Sequence, residues 1–257
     1  MIHPTAIIHP TAEIASTAEI GPYTIIEEHV VIGEGTTIAS HVVIRRNTVI
    51  GKNCRIFQFA SIGEVPQDLK YSGQETRVVM GDGNVIREYV TLHRASVHGD
   101  GKTELGDANF LMAYCHVAHD CKIGNHVIMA NGATLGGHIE IEDYAILGGL
   151  SAAHQFVRIG THCIISGLTG IPKDIPPYTM AAGERARLYG LNLTGLKRHH
   201  FPEQTLRSLK KAYRLLFRSK LPLTKAVENV LNDGISSVPE VAHLIDFIKR
   251  SERGICR

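Results

Sequence analysis

The sequence predicts a mainly β protein, a parallel β-helix of hexapeptide repeats followed by a C-terminal α-helical domain. Three observations carry this. An aliphatic residue returns at every sixth position, through Leu105, Leu111, Val117, Ile123, Met129 and Leu135 and onward to Ile171. A small or β-branched residue follows each by four at nearly every step, as at Cys115, Cys121, Val127 and Ala133. Beyond Ile171 the period dissolves in Pro172, Pro176 and Pro177, and helical patterning replaces it.

A six-residue period is neither that of an amphipathic helix nor that of a simple strand. Such units cannot bury their apolar face alone and must stack into a solenoid. Three hexapeptides make an 18-residue triangular coil, so residues 18 apart lie on adjacent coils about 4.8 Å apart. The aliphatic and small positions point inward, and the second and third residues after the aliphatic form the corner.

The repeat begins at once. Eleven isoleucines keep register from Ile2 through Ile8 and Ile14 to Ile62, which excludes a separate N-terminal domain. Register then fails twice. After Ile62 the aliphatic series resumes only at Met80, so the segment containing Pro66 to Tyr71 leaves the coil as a loop. After Leu92 the next hit is Leu105, which implies seven extra residues around 95–104. Loops that interrupt a rigid repeat are where function concentrates. The domain boundary is expected at 185/186. Helices are expected over 203–219 and 224–232, with a third opened by a Ser237-x-x-Glu240 capping box and ending near Gly254.

The 257 residues are 44% hydrophobic and 20% charged, a soluble globular composition that excludes a disordered chain. The start MIHPTAIIHP has neither a basic nor an apolar leader, and no stretch reaches the ~20 apolar residues of a membrane span. The expected location is the cytoplasm. Cys54, Cys115, Cys121 and Cys163 all fall on the small inward position and read as core residues rather than disulfide or zinc ligands. Charge is uneven. Between Arg185 and Lys220 stand ten basic residues against Glu203 alone, a local +9 that leaves −7 for the rest of a chain whose net charge is +2. That asymmetry suits an acidic partner or a phosphorylated ligand. Nucleic acid fits less well, because the basic segment is poor in aromatics.

No histidine falls on an inward position. His93, His116, His119, His138 and His154 project from walls or corners after the first loop. In the run 115–121 both cysteines face the core and both histidines face out, so no zinc site is expected there. His119 and Asp120 are the two corner residues of one hexapeptide. Adding 18 sets Gly137 beside His119 and His138 beside Asp120. A histidine base, a carboxylate to orient it and a glycine amide one coil away suit acyl transfer. No G-x-S-x-G nucleophile is present, which favours direct attack by the acceptor. On the 203–219 helix Arg207, Lys211, Arg214 and Arg218 share one face, suited to an acidic carrier protein.

The motifs QFASIGEVPQDLKY, HVAHDC, GGH, AHQF, GLKR and RSERGI closely resemble those of the UDP-N-acetylglucosamine acyltransferases, which begin lipid A synthesis. The resemblance runs from Met1 to Arg257. It implies a left-handed parallel β-helix, a homotrimer with sites between subunits, no cofactor, and 3-hydroxyacyl carrier protein and UDP-N-acetylglucosamine as substrates. It implies His119 as general base, Asp120 as its orienting partner and the Gly137 amide as oxyanion donor. Gln67, Asp68, Lys70, His93, His116, His138, His154 and Gln155 would contact the sugar nucleotide, and Asn192 and Arg198 its nucleotide end. Gly167 would be the acyl-chain ruler, open enough for fourteen carbons in preference to ten. Thr194 and His199 depart from the family's usual Glu and Arg. A 3-amino sugar acceptor, another hexapeptide acyltransferase, a zinc-dependent γ-type carbonic anhydrase and a non-catalytic scaffold are the alternatives.

Overall fold

The computed structural model describes residues 1–257. Short parallel strands fall into three sheets of nine, eight and ten strands, each strand pairing with the one three strands on. That order is a three-sided solenoid. In the first coils the register is 18 residues, as Ile7 to Ile25 and Ile25 to Val43 show. It lengthens to 30 between Ser61 and Thr91 and to 25 between Thr91 and His116, then returns to 18. The two insertions expected from the broken period are therefore present. Both leave from one corner, which joins the first sheet (the sheet of Ser61, Thr91 and His116) to the second (the sheet of Arg77, Lys102 and Lys122).

The inward aliphatics form one core. Ile26, Ile44, Ile62, Leu92, Leu111 and Leu147 are all at most 1% exposed, whereas Ile2 in the uncovered first coil is 49% exposed. The small inward residues carry hydroxyls and thiols that donate to a carbonyl fifteen residues on. Thr24 Oγ1 reaches Ala39 O at 2.7 Å, Cys115 Sγ reaches Ala130 O at 3.1 Å and Cys121 Sγ reaches Gly136 O at 3.2 Å. These buried polar groups are satisfied without leaving the repeat, whereas the Thr48 and Ser151 hydroxyls have no partner. All five cysteines are free and buried.

Each tight corner needs a residue in the left-handed region, but glycine and asparagine are not the usual occupants. Tyr23, Phe59, Tyr89, Tyr114, Asp120, His138, Tyr144 and His162 all have φ between 54° and 65°. Stacking on the next coil offsets the strain. Tyr89 stacks on Tyr114 at 4.9 Å and Tyr144 on His162 at 4.8 Å.

The third sheet ends with Thr179–Ala182, parallel to Ile164–Ile165, and the antiparallel strand Arg187–Leu191 turns the chain out of the solenoid. Four helices follow: α1 (Leu193–Arg198), α2 (Glu203–Phe217), α3 (Leu223–Asn232) and α4 (Pro239–Lys249). Leu206, Leu209, Tyr213 and Leu216 of α2 are buried, as its periodicity requires. The capping box does not form. Pro239 at N1 makes extended Val238 the N-cap, and Ser237 Oγ donates instead to Gly234 O at 3.0 Å. The last helix also stops at Lys249, because the tail returns to the solenoid, where Asp174 N donates to Gly254 O at 3.0 Å. The helices dock through Arg158, whose guanidinium lies 4.2 Å over Phe247, and through His243, which bridges Tyr178 and Glu142 at 3.0 and 3.1 Å.

Candidate active site

The corner from which both insertions leave also carries His119 and Asp120 on the next coil, and Gly137 and His138 on the one after. Asp120 occupies the left-handed corner position with φ 60°, a conformation that Asp and Asn accept more readily than most residues. Its Oδ2 lies 2.8 Å from His119 Nδ1. The same oxygen accepts from Ser96 N at 3.0 Å and Ser96 Oγ at 2.7 Å, and Asp120 N donates to Thr103 Oγ1 at 2.9 Å. Burial pushes the Asp120 carboxyl up, but the hydrogen bonds from His119 and Ser96 outweigh it and hold the group below its ordinary range. An ionised carboxylate only accepts. His119 Nδ1 must therefore carry a proton, which in the neutral imidazole leaves Nε2 as the acceptor.

Gly137 faces the ring from the next coil. A Cβ there would lie 2.5 Å from His119 Cε1 and 2.7 Å from Nε2, so only glycine lets the two coils close on the imidazole. The Gly137 amide donates to no other backbone group, as at the equivalent corners, and Gly137 itself is buried. His138 N donates to His119 O at 3.0 Å, and its ring meets His119 edge-on at 5.1 Å while stacking on Phe156 at 4.6 Å.

The surrounding histidines are held neutral. Burial pushes His138 down, against the pull of Asp120. His116, whose Nδ1 is 2.7 Å from Thr91 Oγ1, is also lowered by burial and then by His119. His93 is buried, packs edge-on to His116 at 4.9 Å, and is pushed down to about 4 by burial and His116. Asp120 thus supplies the dominant charge beside the His119 ring.

His154 and Gln155 are exposed on the first corner one coil beyond His138, with His154 Nδ1 3.2 Å from Gln155 O. In the first insertion Gln67 and Lys70 are exposed and Asp68 is half-buried. That loop is anchored at its base, where Glu64 accepts from Arg45 Nε at 2.7 Å and Arg94 lies 5.9 Å over the Tyr71 ring. Asp68 comes near enough for its charge to raise the pKa of His138.

The remaining expected residues lie elsewhere on the chain. Gly167 stands on the corner after the third sheet, beside Gly149. Asn192 and Arg198 begin and end α1 near the corner after the second sheet. Asn192 is buried, capping Gly195 N at 3.0 Å and donating to His162 O at 2.9 Å, while Arg198 is exposed. One chain therefore presents the expected site in three parts on three corners.

His119, Asp120 and His138, which the repeat arithmetic already sets side by side, do offer metal-ligand atoms within 4.8 Å of one another. A cation at Asp120 Oδ2 would have to displace the His119 proton and compete with two donors from Ser96. The donor set fits a hydrogen-bond relay. Cys115 and Cys121, both wholly buried, point into the core away from it.

A family profile described as the second domain of UDP-N-acetylglucosamine O-acyltransferase matches residues 174–256, and the bacterial transferase hexapeptide profile matches residues 11–46 and 102–137. The acyl-[acyl-carrier-protein]–UDP-N-acetylglucosamine O-acyltransferase of Thermodesulfovibrio yellowstonii is 57% identical over 207 residues, 80% of each chain. The chain belongs to the UDP-N-acetylglucosamine O-acyltransferase family. Its relative in Burkholderia mallei is 46% identical over 79% of each chain. LpxA from Acinetobacter baumannii superposes with a TM-score of 0.97 at 47% identity, over 100% of this chain and 99% of that one. The UDP-N-acetylglucosamine acyltransferase of Francisella novicida gives 0.97 at 41% identity, over 100% and 94%.

His199 packs edge-on against Tyr144 and His162, at 4.8 and 4.7 Å. Sequence reasoning missed Ser96 and Thr103. The signal that points to them is that the seven-residue insertion leaves from the corner that bears His119.

Proposed function

We propose that the chain transfers a 3-hydroxyacyl group from acyl carrier protein to the glucosamine 3-OH of UDP-N-acetylglucosamine, the first step of lipid A biosynthesis. The observation that carries this is the His119 imidazole, fixed in one tautomer by Asp120 and pressed by Gly137, whose amide has no backbone acceptor. His119 Nε2 takes the proton of the sugar hydroxyl while that oxygen attacks the thioester carbonyl. The tetrahedral oxyanion is met by the Gly137 amide. Collapse breaks the carbon–sulfur bond, and the imidazolium returns its proton to the departing thiolate of the carrier's arm.

Gln67, Asp68, Lys70, His93, His116, His138, His154 and Gln155 bind the sugar and phosphates in this reading, with Asn192 and Arg198 at the nucleotide end and Gly167 measuring the acyl chain. A homotrimer accounts for the three-corner distribution, since a second copy would set its Gly167 corner and its α1 against the His119 corner of the first. No helix is long and apolar enough to cross a membrane. The carrier protein docks on α2. There Lys211 is paired with Asp233 at 2.7 Å, Arg218 is tied to Leu188 O and Tyr189 O at 3.3 Å, and exposed Arg207 lies 3.7 Å from Glu203, so Arg214 is the one cation of the stripe without a partner and Arg207 the next most available.

The test is purified protein with UDP-N-acetylglucosamine and a panel of 3-hydroxyacyl carrier proteins, with products weighed by mass spectrometry. His119→Ala should lower turnover by ~10² to 10⁴ while leaving the melting transition intact. More than half the wild-type turnover in that variant would refute the assignment.

A further inference from the structure

We propose that the second insertion, residues 94–101, is a clamp on the Asp120 carboxylate, with Ser96 as a positioning residue that acts on catalysis through Asp120 and His119. This deepens the acyl-transfer reading and rests on it. Ser96 is wholly buried, although it belongs to a loop whose next four residues are exposed. Its backbone and side chain both donate to one oxygen, Asp120 Oδ2, at 3.0 and 2.7 Å. The hydroxyl has no freedom to do otherwise, because His98 N donates to Ser96 Oγ at 3.3 Å and turns the hydroxyl proton toward the carboxylate.

The clamp has one further approach to Asp120, and the adjoining strand adds a contact of its own. A Cβ at Gly99 would lie 2.2 Å from Asp120 Oδ1, so the loop backbone closes over the second carboxylate oxygen. Beyond the loop, Thr103, wholly buried in the strand Lys102–Leu105, accepts from Asp120 N at 2.9 Å. Asp120 is thus held at Oδ2, and covered at Oδ1, which has no hydrogen-bond partner, by a segment that the coil geometry does not need. The solenoid closes without it elsewhere, at the shorter register of 18 residues.

The chemical consequence concerns orientation. A carboxylate free to rotate about its χ angles gives the His119 Nδ1 proton several acceptor positions and lets the ring swing. Two donors on Oδ2 leave that oxygen one direction for the imidazole, and Nε2 is aimed accordingly. Ser96 meets no substrate, since it has no exposed surface. Its loss should therefore reach kcat and leave acceptor binding alone.

The experiment compares Ser96→Ala, Gly99→Ala, His119→Ala and the two double variants, measuring kcat, the KM for UDP-N-acetylglucosamine and the melting temperature. Ser96→Ala keeps the backbone donor and loses the hydroxyl. Its kcat should fall about tenfold, the effect of one hydrogen bond to a charged group, with KM changed less than twofold. Gly99 lies on the exposed part of the loop, so Gly99→Ala displaces the carboxylate without entering the core, and it should show the same pattern if Ser96→Ala folds poorly. In the His119→Ala background neither substitution should lower the residual rate further, because the group they act through is gone. Full kcat in both single variants, an equal rise in KM, or an undiminished loss in the His119→Ala background would each overturn the clamp. Failure of His119→Ala itself to lose activity would instead refute the acyl-transfer assignment, so the two failures are told apart.

Discussion

Gly137→Ala isolates the fit of the base from everything else in the fold. Gly137 does not use a left-handed backbone, so alanine meets no conformational penalty there. What it meets is the imidazole, with the added carbon 2.5 Å from His119 Cε1. Carbon atoms settle at about 3.5 Å or more, so the ring must yield by about 1 Å. It cannot do so and keep its 2.8 Å bond to Asp120. A 1 Å misplacement of a catalytic group costs ~10²-fold, or about 2.7 kcal/mol of barrier. Steady-state turnover with a 3-hydroxyacyl carrier protein, followed by mass spectrometry, should show that loss in kcat while the melting temperature shifts little. Gly190→Ala is the control, since its Cβ would meet only the end of the flexible Met180 side chain at 3.8 Å. Retention of more than half the wild-type kcat in Gly137→Ala would show that the ring is not confined as described.

Three further outcomes are expected. His93 and His162 are buried and pushed from 6.5 to about 4, so the unfolded chain binds protons that the folded chain refuses between those values. Stability is full above pH 6.5 and falls as pH drops toward 4, by up to ~3 kcal/mol for each histidine, and denaturant melts of His162→Phe should show a shallower acid slope than wild type. An unchanged slope would refute the neutral His162. Gly167→Met should close the groove at its corner and shift preference from fourteen-carbon toward ten-carbon donors. Four methylenes are worth ~3 kcal/mol when buried, and an unaltered chain-length profile would place the ruler elsewhere. Charge reversal at Arg207 and Arg214 should raise the KM for the carrier-bound donor several-fold more than that for the sugar nucleotide, with equal effects refuting the dock. Arg218→Glu should act differently and lower the melting temperature, because that guanidinium also packs over Tyr213 at 5.5 Å.

The sequence alone determined the solenoid, because in a repeat of fixed period spatial contact is a function of sequence separation. Counting in eighteens set Gly137 against His119 and His138 beside Asp120, and coordinates bear out both neighbours. The same counting turned the cysteines inward, where four of them are wholly buried in the repeat. The arithmetic stops where the period breaks. It showed that two insertions exist and how long the second is, but not that the second folds back on Asp120, because a loop's path is fixed by its own contacts. Ser96 was accordingly invisible. Local signals also yielded to longer-range ones. The Ser237-x-x-Glu240 pattern lost its cap to Pro239, and Arg218 left the basic face for carbonyls within the strand Arg187–Leu191. Only the tertiary structure decided that the loop of Gln67, Asp68 and Lys70 and the His119 cluster share one corner while Gly167 and α1 occupy the other two. The physical reason is that a triangular coil sorts residues by their phase within 18, and insertions of 12 and 7 residues shift that phase for all that follows.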